Sequence, residues 1–195
     1  MIIKRTVELE ADIEKRNGRQ FEIGDVIGFA LTDGEEVEAM AMKQEEDGML
    51  FVLVDCLAEE QPMEKNGRPF MREYLNKDLY IRFPVEIRNM MKPFDHGDML
   101  RLLTQKEVFG RNVYDSDIDE EGVEQLEPMK NRRNRIADLG KDASEEEYEW
   151  YWLADRLRDV TSSADFAYVY ASGNAYFYDA SYSNGVRPAF KLSLI

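Results

Sequence analysis

The chain has 195 residues, of which 44% are hydrophobic and 11% aromatic, and this composition indicates a folded domain. Its 40 acidic and 25 basic residues give a formal net charge of −15, which argues against nucleic acid as a partner because such a field repels phosphate. The longest uninterrupted apolar run, residues 49–54, is far shorter than the ~20 residues of a membrane-spanning helix. No membrane segment is therefore expected.

The N-terminus turns acidic within eight residues, so no signal peptide is predicted. The one cysteine, Cys56, excludes an internal disulfide, and its apolar neighbours predict a buried, inert thiol. A basic run at 130–135 is interpreted as a solvated or ion-paired face. These features predict a protein located in the cytoplasm.

The first third of the chain is predicted to be an antiparallel meander. Apolar-rich segments at 25–31, 36–43 and 49–55 are separated by two Asp-Gly turns, at Gly34 and Gly48, and Asp-Gly favours hairpins. We interpret residues 1–57 as a meander subdomain that packs on the rest.

The middle of the chain is predicted to contain short helices. The apolar spacing near 70–79 is helical, and Pro84 is a suitable first-turn residue for the next helix. Thr104 and Glu107 have the spacing of a capping box, which predicts a helix from there through Phe109.

Residues 164–184 differ sharply in composition from the rest. They contain five of the ten tyrosines, five alanines and three serines, and only Asp165 and Asp179 are charged in a chain that is 33% charged. Large and small residues alternate on both sides of a Ser-Gly-Asn turn at 172–174, which predicts a hairpin with its rings on one face. Ala167 and Val169 are assigned to the core. Such a face is either a recognition surface of antibody-like composition or one aromatic face of a buried sheet.

The chain ends in Gly-Val-Arg-Pro-Ala-Phe-Lys-Leu at 185–192, preceded by Trp-Tyr-Trp-Leu at 150–153. Together with the segment between them, these motifs resemble the C-terminal part of C-type-lectin-fold proteins related to the formylglycine-generating enzyme. They resemble more closely the variable proteins of diversity-generating retroelements of bacteria and phages. The same ending also resembles that of an uncharacterised bacterial domain family often found without a retroelement.

The resemblance implies an α+β, C-type-lectin-like fold with short antiparallel strands, two or three helices and the N-terminal β-meander. It places the C-type-lectin-like domain at 58–195, with a variable segment at 164–184. In the retroelement family, error-prone copying of template adenines changes asparagine codons into codons for residues such as Tyr, Ser, Asp, Ala, Phe, Val, Gly or Thr. All 21 residues of the segment are either asparagine or one of these reachable residue types.

By this resemblance, one set of residues would be displayed for ligand binding and another would form the scaffold. Arg187 is expected to make a buried ion pair or to contact carbonyls. The displayed residues would be Phe166, Tyr168, Tyr170, Asn174, Tyr176, Tyr178, Asp179, Ser181, Tyr182 and Ser183. The scaffold residues would be Trp150, Trp152, Gly185, Arg187 and Pro188.

Catalysis is not predicted. Formylglycine-generating enzymes use a cysteine pair, and this chain has no cysteine in its C-terminal half. Iron enzymes of this fold use several histidines, and the only one here is His96, in a predicted loop. The calcium-binding triplets of lectins are missing, since Gln61-Pro62-Met63 shares only two letters with them. We expect no cofactor and no metal.

Two function classes remain open at this point. The first is a ligand-binding protein that recognises a protein or a cell-surface glycan, in the cytoplasm or on a virion if a phage encodes it. The second is a structural or assembly protein with a fixed aromatic subunit interface. A weaker third possibility is an enzyme of this fold that has lost its known ligands, and the oligomeric state is left open.

Overall fold

The computed structural model describes residues 21–118, 121–140, 148–158 and 164–193. They form a mixed α+β fold with antiparallel strand pairs and few, short helices, which confirms the predicted α+β class. The strands are β1 (Val26–Ala30), β2 (Glu36–Gln44), β3 (Met49–Leu53), β4 (Gln61–Pro62), β5 (Glu64–Lys65), β6 (Arg68–Pro69), β7 (Met91–Lys92), β8 (Ala137–Asp138), β9 (Tyr148–Glu149), β10 (Tyr151–Arg156), β11 (Asp165–Val169), β12 (Ala175–Asp179), β13 (Ser183–Asn184) and β14 (Ala189–Leu192). The helices are α1 (Met71–Glu73), which continues as π-helical Tyr74–Leu79 and 3₁₀ Tyr80–Arg82, α2 (Val85–Met90) and α3 (Gln105–Phe109).

The predicted meander is confirmed by β1, β2 and β3, which pair antiparallel in chain order. The first turn closes through the amide of Leu31, which donates to Glu35 O at 2.8 Å. Gly34 adopts a φ of +94° there, a conformation that side chains with a Cβ rarely take. The Asp-Gly prediction is therefore correct at Gly34. At Gly48 the predicted turn forms, with the Glu45 amide donating to Gly48 O at 2.8 Å, but Gly48 does not adopt the predicted positive φ.

The meander and the C-terminal strand share one sheet. Its order is β1-β2-β3-β14-β7, so β14 lies between β3 and β7. The proposed boundary after residue 57 thus divides strands that are hydrogen-bonded to each other. Residues 1–20 of the proposed subdomain lie outside the described part of the chain.

The predicted helices are also confirmed. Pro84 precedes α2, and the capping box of α3 is complete, because the Thr104 side chain accepts from the Glu107 amide and the Glu107 side chain accepts from the Thr104 amide. Gly110 ends α3 in the left-handed conformation, with a φ of 76°. In the described ranges, no helix is both long and apolar enough to cross a membrane.

The core consists of two clusters on opposite faces of β10 and β11. Trp152 and Tyr168 belong to the cluster shared with the meander and the helices. Tyr151 and Val169, their immediate chain neighbours, belong to the second cluster. Because successive side chains of a strand point to opposite faces, these two strands are covered on both sides and hold the next strand, β12, in place.

Candidate functional site

The segment 164–184 forms the outer part of a three-stranded antiparallel sheet with the order β10-β11-β12. Phe166 is paired with Tyr178, and Tyr168 with Tyr176. Directly paired residues share a face, so the four rings lie on the same side of the sheet, as the alternation predicted. Ala167 and Val169 point to the other side and are fully buried, as predicted.

Every exposed residue in this segment is a tyrosine, a serine or an asparagine. The four exposed tyrosines present between 38% and 55% of their surface to solvent. The more buried positions are occupied chiefly by Ala, Val, Phe, Gly and Asp. We call the exposed set the tyrosine surface; it consists of Tyr170, Asn174, Tyr176, Tyr178, Ser181, Tyr182 and Ser183.

The structure corrects the expectation that Tyr168 is displayed. Its side chain is only 2% exposed, because Trp150 and Trp152 from the neighbouring strand segment cover it. Phe166 and Asp179 are partly buried, so they contribute at most an edge to the surface. The other seven residues of the expected set are exposed.

The exposed tyrosines rest on buried or half-buried rings. Trp150 stacks on Tyr168 with a centroid distance of 5.4 Å and contacts Tyr170 at 5.0 Å. Tyr168 in turn contacts Tyr176 at 5.7 Å. Burial, together with the neighbouring tyrosines, raises the pKa of Tyr168, so this phenol stays neutral. These contacts limit the motion of Tyr170 and Tyr176.

Tyr178 and Tyr182 form a second aromatic pair on the surface. Their ring centroids lie 4.6 Å apart in an edge-to-face arrangement, a geometry favoured by the ring quadrupoles. The proximity of Tyr182 raises the pKa of Tyr178. Both tyrosines of this pair remain exposed.

The turn of the hairpin is anchored by the basic run. Gly173 has a φ of 77°, and a Cβ placed on it would lie 3.2 Å from Arg132 O. The Nε of Arg132 donates to Ser172 O at 2.7 Å. Its neighbour Arg133 donates to the Tyr148 hydroxyl at 3.1 Å. These two arginines therefore have partners within the protein.

Asp179 is engaged in the local turn. Its Oδ1 accepts from the Ser181 amide at 2.9 Å and from the Ser181 hydroxyl at 2.6 Å, and these bonds lower the pKa of Asp179. Asp165 is its partner in the adjacent strand, and burial together with Asp179 raises the pKa of Asp165. Asp179 thus orients the Ser181 end of the tyrosine surface.

The strand β12 forms the outer edge of its sheet. The amide of Tyr170 donates to Asn174 O, and the amide of Ala180 donates to Ala164 O. In this antiparallel pattern, every second residue of β12 directs its amide and carbonyl toward β11. The intervening residues, among them Phe177, direct theirs away from the sheet.

The expected scaffold residues are buried behind the tyrosine surface, apart from Trp150, which is half-buried. Trp152 donates from Nε1 to Gln61 O at 2.8 Å. A Cβ on Gly185 would lie 2.7 Å from the Cys56 sulfur and 2.8 Å from Trp150 O, so only glycine fits there. Pro188 O accepts from the Leu53 amide.

Arg187 contacts backbone carbonyls, which is the second of the two arrangements expected for it. Its Nε donates to Leu53 O at 2.6 Å, and its Nη1 donates to Asn134 O and to the Tyr151 hydroxyl, both at 3.0 Å. In the described part of the chain, no carboxylate lies within ion-pair distance of it. The Arg187 guanidinium therefore donates to neutral acceptors, namely two carbonyl oxygens and one hydroxyl.

The remaining candidate positions that the sequence offered are His96 and Cys56. His96 is exposed in the 3₁₀ turn Asp95–Gly97 with a φ of 68°. Cys56 is buried, and burial raises the pKa of its thiol, which suppresses the reactive thiolate. Among residues 21–118, 121–140, 148–158 and 164–193, no group of three His, Cys, Asp or Glu side chains could hold a metal ion.

The sequence did not predict a buried polar group centred on Asp155 of β10. Asp155 is fully buried and accepts from the Ser116 hydroxyl at 2.8 Å and from the Gln105 amide at 2.7 Å. These three residues come from distant parts of the chain, and no sequence motif links them. Tyr114 lies beside this group and contacts Phe177 of β12 at 5.0 Å.

Comparison with known proteins gives a family but no characterised relative. A search of curated proteins and a search of solved structures each found no significant match. A family described as a domain of unknown function (DUF6273) matches residues 68–194, which include β6 through β14 and the whole tyrosine surface. Because the match covers more than half of the chain, this protein belongs to the DUF6273 family.

Proposed function

We propose that this chain is a non-catalytic ligand-binding protein whose tyrosine surface recognises a protein or a cell-surface glycan. One observation carries the proposal: the exposed residues of 164–184 are only Tyr, Ser and Asn. Tyrosine supplies a large contact area with little rotamer entropy to lose, and Ser and Asn adapt their hydrogen bonds to the partner. This combination of residue types is typical of recognition surfaces.

The support beneath the surface favours the same function. A ligand that binds mobile side chains must order them, at a cost of about 0.5–1.5 kcal/mol for each rotamer-rich side chain. Tyr170 and Tyr176 already contact Trp150 and Tyr168, and the hairpin turn is held by Arg132. Binding to this preorganised surface therefore loses less entropy.

The proposal includes a C-type-lectin-like fold and diversification by a retroelement. It is supported by the reachable residue types throughout 164–184 and by the abrupt change at Gly185, where a side chain would collide with Cys56 and Trp150. Exposed positions would then vary, while Gly185 and Arg187 keep the backbone in place.

The test of diversification is to sequence the flanking DNA and the corresponding 3′ coding region across a cell population. We expect a near-copy of this region that differs at adenines, a reverse-transcriptase gene nearby, and variation concentrated in the codons of the tyrosine surface. Invariant codons without any such copy would refute the diversification, and the surface would then have a fixed partner.

Recognition itself is tested by binding to arrayed glycans and to intact cells. The triple variant Tyr176→Ser, Tyr178→Ser, Tyr182→Ser removes three rings of the surface. The control is Ile81→Ser, which removes an exposed apolar side chain from the helical segment after α1. We expect binding by the wild type and the control and its loss in the triple variant. Equal binding by all three proteins would refute the proposed site.

The alternative is a phage or bacterial assembly protein in which these tyrosines form a fixed subunit interface. The outward-directed edge of β12 favours it, because no described strand pairs with this edge, and such an edge can pair with a second copy. The edge is partly covered, since Ala175 O accepts from the Tyr114 hydroxyl at 3.5 Å. Light scattering distinguishes the two functions. A wild-type oligomer that becomes monomeric in the triple variant supports the assembly protein, whereas an unchanged mass together with lost binding supports the ligand-binding protein.

A further inference from the structure

A small cavity lies apart from the tyrosine surface, beside the strand pair β8 and β9. Its volume is about 110 Å³. It is lined by Met40, Val54, Asp55, Arg133, Asn134, Ile136, Asp138, Tyr148 and Arg187. Since an apolar cavity of about 150 Å³ accommodates benzene, this one suits a molecule of about four to six non-hydrogen atoms.

One wall of the cavity is negatively charged and has an unused acceptor. The Oδ1 of Asp138 is buried and has no hydrogen-bond partner among the residues that the structure describes, and a buried polar atom left in this state is costly. Asp55 lies close by, because its Oδ1 accepts from the Asp138 amide at 3.1 Å. Burial, together with the charge of Asp55, raises the pKa of Asp138, and the nearby charge of Arg133 opposes this rise. A cationic donor placed here would satisfy the carboxylate and offset the repulsion.

The opposite charge comes from Arg187, which is buried, with a relative exposure of 3%. Its three hydrogen bonds go to the carbonyls of Leu53 and Asn134 and to the Tyr151 hydroxyl, and none of them uses Nη2. A buried cation held only by neutral acceptors favours an anionic group nearby. Arg133 adds a second guanidinium at the solvent-exposed rim, beside Tyr148.

Within the described residues, the cavity therefore combines a carboxylate oxygen of Asp138 that lacks a donor with the Arg187 guanidinium, which lacks an anionic partner, in a space for a few atoms. We propose that it binds a small zwitterion of the class of free α-amino acids. The ammonium group pairs with Asp138 and Asp55, and the carboxylate pairs with Arg187 and Arg133. Met40, Val54 and Ile136 provide the apolar wall for a small side chain.

Calorimetric titration of the full chain with glycine and with L-alanine tests this site. Ethylamine and propionate are the matched probes, because each carries only one of the two charged groups. We expect heat from the two amino acids and none from the single-charge probes at the same concentrations. If propionate binds as tightly as alanine, or ethylamine does, the zwitterion proposal is wrong. Absence of binding by both amino acids also overturns it.

The residue assignment is tested with Asp138→Asn, which keeps the size of the side chain and removes its charge. The control is Asp78→Asn, since Asp78 is exposed in the helical segment after α1 and does not line the cavity. Circular dichroism verifies that both variants are folded. We expect a loss of affinity for alanine of roughly tenfold or more in Asp138→Asn and none in the control. Unchanged affinity in Asp138→Asn would contradict the assignment.

Discussion

Gly185 occupies the tightest backbone position behind the tyrosine surface, and replacing it with alanine tests that packing quantitatively. The new Cβ would lie 2.7 Å from the Cys56 sulfur and 2.8 Å from Trp150 O. Ordinary contacts begin near 3.4 Å, so both atoms must retreat by about 0.6 Å or more. The Trp150 oxygen also accepts from the Gly185 amide at 2.8 Å, and its displacement weakens that bond.

Overpacking of this kind costs about 1–3 kcal/mol, and alanine recovers about 0.4–1 kcal/mol by restricting the unfolded chain. We therefore expect Gly185→Ala to lower the free energy of unfolding by about 1 kcal/mol. Urea unfolding followed by the fluorescence of Trp150 and Trp152 measures it. Gly28→Ala is the matched control, because a Cβ there meets nothing closer than 3.9 Å.

Cys56 supplies the shortest of the new contacts, so Cys56→Ala should relieve part of the cost. In a double-mutant cycle we expect a coupling free energy of about 1 kcal/mol between the two positions. The reasoning is refuted if Gly185→Ala is no more destabilising than Gly28→Ala. It is also refuted if the cost is the same with and without the Cys56 sulfur.

Three further predictions use the same unfolding assay. Tyr168→Ala should cost about 3–5 kcal/mol because the ring is buried, whereas Tyr176→Ala should change stability by less than about 0.5 kcal/mol; similar costs would contradict the assignment of Tyr168 to the core. Burial raises the pKa of Asp155, so its contribution to stability is complete below the ordinary pKa of about 3.9 and is lost as the pH rises through the raised value. The free energy of unfolding of the wild type should accordingly fall relative to Asp155→Asn as the pH rises from about 4, and a constant difference would argue against this. Thr104→Ala removes the N-cap of α3 and should cost about 1 kcal/mol, and no measurable cost would mean that the capping box contributes nothing.

Local chemistry made much of the fold predictable from the sequence. The turn at Gly34 needs a left-handed backbone, and the capping box of α3 joins residues three positions apart. The hairpin at 164–184 follows from the alternation of large and small residues. Each of these signals acts between near neighbours in the chain, where spacing determines geometry.

The candidate site was only partly predictable because burial depends on what covers a face. Alternation assigned Tyr168 and Tyr176 to the same side, and they are paired there. It contains no information on Trp150 and Trp152, which cover Tyr168 and leave Tyr176 exposed. The cavity was unpredictable for the same reason, since its lining comes from segments far apart in the sequence.

The position of β14 has a consequence for how the protein is made. This strand lies in the interior of the main sheet between β3 and β7, yet the ribosome synthesises it after the other strands that the structure describes. The β3 edge of the meander therefore lacks its strand partner until residues 189–192 emerge from the ribosome. A message cut short after codon 184 would still encode the whole tyrosine surface, but its product could not complete the sheet. We expect proteases to remove such products, so that only chains translated through residue 192 present this surface.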